Sequence, residues 1–112
     1  MNSLRDALRQ FAAERDWDQF HSPKNLAIAL SVEAAELLEH FQWLTEAQAG
    51  ALPPAKLDEV RDEMADVLVY LVRLADKLDV DLLAAAAQKI EKNALKYPAD
   101  RVRGSMKKYS DY

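Results

Sequence analysis

An all-α fold of four helices is predicted by three features of this 112-residue sequence. Apolar residues recur three and four positions apart, which is the spacing of an amphipathic helix. No segment alternates polar and apolar residues as a half-buried strand would. Only two Gly and four Pro are present, which leaves little room for β-turns. Half of the residues are hydrophobic, so we expect one folded domain over residues 1–112.

The first helix is predicted from about Ser3 to Arg15, with Ser3 as its N-cap. The second helix should begin at Ser22, because Ser followed by Pro suits the N-cap and first helical positions. We expect it to end near Trp43 or Leu44. Its apolar positions form one stripe, made of Leu26, Leu30, Leu37, Phe41 and Leu44.

The third helix is predicted from about Pro54 to Leu78, after a loop that contains Gly50. Apolar residues at alternating steps of four and three describe a packing seam. The seam consists of Val60, Met64, Val67, Leu71, Leu74 and Leu78. Other faces of this helix are also apolar, and a domain of this size cannot easily bury such a helix alone. We therefore expect a second subunit to cover it.

The fourth helix should start at Asp79 or Asp81 and continue to about Tyr97, where Pro98 stops it. The remaining tail, residues 99–112, is polar and carries four basic residues. Such a tail is expected to be mobile, and either to wrap around the body or to become ordered on binding.

Composition excludes several classes of function. A net charge of −4 argues against a general nucleic-acid binder, which is normally basic. Without cysteine the chain has neither disulfides, thiolate chemistry nor a cysteine zinc site. No apolar signal segment leads the chain, and the longest strongly apolar run, residues 67–72, is too short to span a bilayer. We expect a soluble cytoplasmic protein that binds no membrane.

Two pairs of acidic residues with the same spacing suggest a metal site. Glu33 lies within the leucine stripe of the second helix, and Glu36 is three residues further on. Glu63 and Asp66 repeat this spacing on the third helix. If the two helices pack antiparallel, four carboxylates converge, and like charges so close cannot all stay ionised without cations. All-oxygen ligation favours Mg²⁺ or Mn²⁺.

Each of these patterns also has a plainer explanation. Acids at such spacings are common on solvated helix surfaces, although leucines surround Glu33. On the fourth helix, Lys89 and Asn93 share a face and could bind phosphate, or could simply be solvated. Trp17 and His21, before the second helix, could contact a base or form a small hydrophobic plug.

The two acidic motifs resemble those of a known family. Glu33-Ala34-Ala35-Glu36 and Glu63-Met64-Ala65-Asp66 match the ExxE…ExxD signature of the all-α nucleoside triphosphate pyrophosphohydrolases, the MazG-like superfamily. The chain is most similar to its dCTP pyrophosphatase branch. One departure is Val32, where many MazG-type proteins carry a second acid, but that branch tolerates it. The supporting stretches are 15–21, 41–43, 65–71, 89–98, 103–105 and 108–109.

The resemblance implies a Mg²⁺-dependent hydrolysis of a (d)NTP to the monophosphate and pyrophosphate, with Mn²⁺ as a substitute. The first choice of substrate is dCTP or a modified dCTP, and the biological role would be to clean the nucleotide pool. The resemblance also implies that the protein forms homodimers or homotetramers. Glu33, Glu36, Glu63 and Asp66 would be the metal ligands. The sequence does not decide which carboxylate acts as the base; we select Glu36, and Glu63 as the second catalytic residue. The implied substrate-binding residues are Lys89, Asn93, Tyr97 and Tyr70 for phosphates and sugar, and Trp17, His21 and Trp43 around the base.

On the residues alone, two other functions compete with nucleotide hydrolysis. A non-catalytic helical module for oligomerisation or regulation would carry its acids as a solvated face. A di-iron helical bundle requires Glu-x-x-His pairs, and His40 follows Glu36 by four residues rather than three. The di-iron interpretation is therefore rejected, whereas the non-catalytic module stays open.

Overall fold

The computed structural model describes residues 1–104, and every regular element among them is helical, as predicted. One turn of 3₁₀ helix, Asp18–Phe20, precedes the second helix. The helices are α1 Asn2–Glu14, α2 Pro23–Glu39, α3 Glu46–Ala49, α4 Pro54–Lys77, α5 Leu82–Lys96 and α6 Ala99–Val102. Among these residues no helix combines the length and hydropathy needed to cross a bilayer. The part of the tail prediction on residues 105–112 lies outside the described residues.

The chain divides into two compact units. The first unit, Met1–Val80, contains α1 to α4, and the second, Asp81–Tyr112, contains α5 and α6. The four long helices correspond to the four predicted ones, except that α2 ends at Glu39 and not near Trp43 or Leu44. The one-turn helices α3 and α6 were not predicted, because each is too short to show a periodic pattern.

Side-chain caps set the start of three helices. Ser22 accepts a hydrogen bond from the Asn25 amide at the start of α2, and Asp81 accepts one from Ala84 at the start of α5, as predicted. Thr45 and Gln48 form a capping box that starts α3 inside the predicted loop. The predicted cap at Ser3 is wrong, because α1 begins one residue earlier with Met1 at the N-cap position.

Two helices end in a left-handed residue that is not glycine. Asp16 and Asp79 have φ angles of 54° and 55°. In each case the next amide bonds back across the turn, Trp17 to the Ala12 carbonyl (2.9 Å) and Val80 to the Ala75 carbonyl (2.8 Å). These are Schellman motifs, with Asp where glycine is usual. The first of them redirects the chain after α1 into the segment that carries Asp18 and His21.

Helices α2 and α4 form an antiparallel pair, the most extensive helix contact of the first unit. Contacts pair late residues of one helix with early residues of the other: His40 with Glu59, and Glu33 with Glu63. Leu26 of α2 is almost completely buried in this pair.

The apolar seam predicted on α4 is only partly buried. Val60 is buried, but Met64 and Leu78 are 57% and 55% exposed, so the seam is not buried continuously within one chain. Val72 and Ala75 are buried instead. The reason is that α1 packs on a second face of α4, which differs from the face that α2 covers.

An ion pair ties α1 to the C-terminal part of α4. Arg9 donates from Nε to Asp76 Oδ2 (2.7 Å) and from Nη2 to Asp76 Oδ1, a bidentate arrangement. The Asp76 side chain is only 10% exposed. These hydrogen bonds and the charges of Arg9 and Arg73 hold the pKa of Asp76 below its ordinary value.

We expect Asp76→Asn to unfold more easily at pH 7, by about 1–3 kcal/mol, since a charge-assisted pair is lost. A lowered folded-state pKa contributes stability above the unfolded pKa of about 4, and this stability is lost as pH falls through the folded pKa. Wild type and variant should therefore converge below pH 4 in urea melts. Asp58→Asn, an exposed acid on the same helix, is the control. A constant difference from pH 7 to pH 2 would contradict the expectation.

Candidate functional site

Three glutamates meet between the antiparallel helices. One oxygen each from Glu33, Glu36 and Glu63 lie within 4.8 Å of one another. The first two share a face of α2 because they are three residues apart, and the antiparallel packing places the third opposite them on α4. Asp66, one turn further along α4, is more exposed and lies outside this close group. The structure thus brings together three of the four carboxylates singled out in the sequence.

Glu33 lies in an environment that is unfavourable for a negative charge. Burial raises its pKa to about 7, and hydrogen bonding to Glu63 and Glu36 and the charges of Glu36 and Asp66 act in the same direction. One oxygen of Glu33 and one of Glu63 are buried without a hydrogen-bond partner among the described residues. Unpaired buried carboxylate oxygens are costly. This arrangement fits a hard divalent cation, which oxygen ligands bind well.

The first unit also contains a cavity of about 350 Å³. Asp66, three residues after Glu63 on α4, lines it, whereas the three glutamates do not. Its walls come from α1, from the segment before α2 and from α4. The lining residues are Leu8, Phe11, Ala12, Trp17, His21, Asp66, Val69, Tyr70 and Arg73. Three residues expected around the substrate, Trp17, His21 and Tyr70, are therefore in one cavity.

Arg73 is a residue of this cavity that the sequence analysis missed. Its side chain is 4% exposed, and Nη2 donates to Asp18 Oδ1 at 2.9 Å. Lys77 Nζ donates to the same Asp18 oxygen at 2.6 Å. These two hydrogen bonds, Lys77 first, lower the pKa of Asp18. The available signal was a single cation in the apolar middle of α4, facing an acid in the segment before α2.

His21 sits between Asp18 and Arg73. Its Nδ1 lies 3.3 Å from Arg73 Nε. Burial, followed by the charge of Arg73, lowers the pKa of His21, and the nearby Asp18 carboxylate only partly opposes this. The ring is therefore held in its neutral form near pH 7.

The remaining predicted substrate residues are one residue of the first unit and three of the second. Trp43 follows α2 and is 86% exposed, and it does not line the cavity. Lys89 and Asn93 are on α5, and Tyr97 is the C-cap of that helix, all within the second unit. Their roles in substrate binding stay predictions.

Comparisons with known proteins agree on one family. The family model described as the MazG-like family matches residues 28–112. Proteins named dCTP pyrophosphatase 1 from Mus musculus and Homo sapiens are 44% and 42% identical over 113 positions, 99% of this chain. The chain spans 66% of the length of each. A crystal structure described as a pyrophosphatase from Archaeoglobus fulgidus is similar with a TM-score of 0.83 and 43% identity, covering 88% of this chain and 92% of that one.

Without a bound cation, the contribution of Glu33 to the free energy of unfolding should fall as pH rises. A folded-state pKa of about 7 for Glu33 exceeds the unfolded value, so its contribution is complete below about pH 4.5 and is lost as pH rises through 7. We expect Glu33→Gln to be more stable than wild type at pH 8 in EDTA, as measured by urea unfolding. Added Mg²⁺ should stabilise wild type but not this variant.

Glu39→Gln is the matched control, because Glu39 is an exposed glutamate on the same helix. It should leave both the pH dependence and the Mg²⁺ response unchanged. Equal stability of Glu33→Gln and wild type across this pH range would show that Glu33 is solvated rather than constrained.

Proposed function

Because this chain belongs to the MazG-like family, we propose that it hydrolyses a nucleoside triphosphate to the nucleoside monophosphate and pyrophosphate. The observation that carries the proposal is the group of three carboxylates in the same unit as a cavity with an aromatic wall. Such a pairing offers one place for a polyphosphate and another for a base. The relatives named dCTP pyrophosphatase 1 support this choice of chemistry.

The carboxylates would hold a divalent cation, with Mg²⁺ the first choice and Mn²⁺ a substitute. Glu33, Glu36 and Glu63 supply only oxygen donors, two of which are buried and unpaired. Asp66, whose charge acts on Glu33, is the proposed fourth ligand. When bound, the cation would neutralise polyphosphate charge and make a water more acidic.

The protein's own part in the reaction is to orient the water and accept its proton. Glu33 and Glu63 each turn one oxygen away from solvent, so we assign the proton of the attacking water to Glu36. That water attacks the α- or the β-phosphorus of the triphosphate and breaks its bond to the oxygen that bridges the two, so that the products are the nucleoside monophosphate and pyrophosphate. Glu63 would fix the geometry of the group from the opposite helix.

The cavity is the proposed site of the base. Trp17 and Tyr70 offer aromatic surface, and His21 and Arg73 provide polar atoms. We propose dCTP or a modified dCTP as the substrate, in keeping with the names of the relatives, and a role in nucleotide-pool cleaning in the cytoplasm.

We also propose that the enzyme is a homodimer or homotetramer. Several large apolar side chains on α2 and α4 are about half exposed in the single chain. Such exposure is unusual for a helix pair that forms a core. The exposed ones are Ile28, Val32, Leu38, Leu57, Met64 and Leu68. A second copy that covers these positions would also explain why Met64 lies in an apolar seam yet is not buried.

The first prediction from this proposal concerns Glu63→Gln, which keeps the shape of the side chain but removes its charge. We expect turnover at saturating Mg²⁺ to fall at least ~100-fold, because the carboxylate group loses its fixed geometry. Asp62→Asn, an exposed neighbour on α4, is the control and should keep wild-type turnover. Near-normal activity of Glu63→Gln would refute the assignment.

A panel of (d)NTPs with Mg²⁺, read out as pyrophosphate against orthophosphate, tests the reaction itself. We expect pyrophosphate as the product and the highest kcat/KM for dCTP. Release of orthophosphate would contradict the proposed bond cleavage. Absence of hydrolysis with every nucleotide, together with no Mg²⁺ heat in calorimetry, would favour the non-catalytic oligomerisation or regulatory module.

A further inference from the structure

Arg73 is a buried cation in the middle of an otherwise apolar helix segment. A guanidinium removed from water is costly unless its donors are paired. Here they face Asp18 (Nη2 to Oδ1, 2.9 Å), Asp76 (Nη1 to Oδ2, 3.6 Å) and the imidazole of His21. The first two partners are expected for an arginine. The third is unusual, because an imidazole carries no negative charge to compensate the guanidinium.

The contact with His21 determines which ring nitrogen carries the proton. Arg73 Nε and Nη2 lie 3.3 Å and 3.2 Å from the same atom, His21 Nδ1. A guanidinium has five N–H donors and no acceptor, so Nδ1 must be the acceptor and has no hydrogen. The single proton of the neutral ring is then on Nε2. Protonation of Nδ1 would place one more N–H against two N–H groups that already point at it.

The surroundings of His21 reinforce this arrangement. The charged groups that act on the ring are Arg73, Lys77 and Asp18. Asp18 is the one acid among them, and its Oδ1 already accepts hydrogen bonds from both cations. The carboxylate therefore compensates the two cations rather than a charged imidazole. Because His21 lines the cavity and Arg73 occupies its Nδ1, the Nε2–H is the polar group left for a ligand.

We propose that Arg73 is a positioning residue that holds His21 as the neutral Nε2–H tautomer, so that His21 donates a hydrogen bond to an acceptor atom of the bound nucleobase. The inference rests on the proposed function for the identity of the ligand. Cytosine offers two such acceptors on one edge, the O2 carbonyl and the unprotonated N3. A ring with its proton on Nδ1 would present a lone pair there and would repel both.

Removal of Arg73 need not leave its acidic partners without a cation. Asp18 keeps the hydrogen bond from Lys77, and Asp76 keeps the bidentate pair with Arg9. Arg73→Met preserves much of the apolar stem and is the primary variant. Arg73→Lys restores a single donor. Arg61→Met is the matched control, because Arg61 is an exposed arginine on the same helix that pairs with Asp58 three residues away.

The tautomer can be read in the wild-type protein without nucleotide. The chain has two histidines, so ¹⁵N–¹H correlation of the imidazoles gives two ring systems, which His40→Gln assigns. We expect His21 at pH 7 to show the Nε2–H pattern alone, and Arg73→Met to show a mixture of tautomers. Arg73→Lys should restore the wild-type pattern in part. An Nδ1–H ring or an imidazolium in the wild type would overturn the inference.

Steady-state kinetics with dCTP test the consequence for base recognition. We expect Arg73→Met to raise KM about tenfold, the effect of one lost hydrogen bond, with kcat changed less than about threefold. In a His21→Phe background, Arg73→Met should have no further effect on KM, because the two residues act as one unit. Equal effects with and without His21 would indicate a structural role and would overturn the inference.

The two proposals fail in different ways. If wild type hydrolyses no nucleotide, the proposed function fails and the hydrogen bond to the base fails with it, whatever the tautomer. If wild type hydrolyses dCTP while Arg73→Met changes neither the tautomer nor KM, only the role of Arg73 is refuted. Circular dichroism of Arg73→Met must show wild-type helicity, and the wild-type tautomer remains a decisive measurement should that variant unfold.

Discussion

The first unit holds three acidic side chains between two packed helices. Glu33, Glu36 and Glu63 converge only because α2 and α4 run antiparallel and meet along their apolar faces. Packing of Leu26 and Val60 stabilises that meeting, and the mutual repulsion of the acids opposes it. The folded chain thus accepts an electrostatic cost at one place that apolar burial offsets elsewhere. Such a balance is common where a protein prepares a site for a partner of opposite charge.

Much of this arrangement could be predicted from local chemistry. Ser22 before a proline and Asp81 before an alanine-rich run are strong helix starts, and the structure shows both caps. Glu33 stood out because its neighbours on a helical wheel are leucines. Cap and wheel arguments work here because they need only the few residues within one or two helical turns.

Other features depend on contacts that no local pattern specifies. Arg73 is buried because α1 and the segment before α2 happen to cover its face of α4, and its partner Asp18 is 55 positions away. Periodicity assigned Met64 to the packing seam, but a residue of α4 is buried only where another element of the same chain packs on its face. Trp43 was expected near a base and is exposed within one chain. Long-range partners, and any surface that a second copy covers, lie beyond the reach of helical spacing.

The left-handed aspartates give the acidic composition a second meaning. Asp16 and Asp79 end their helices at positive φ, at positions that other proteins usually give to glycine, and this chain has only two glycines. Two of its nineteen acids therefore stand where the backbone reverses direction. The number of carboxylates alone would therefore overestimate the number of cations that such a protein can bind. The positive φ angles of Asp16 and Asp79 identify two acids that shape the path of the chain.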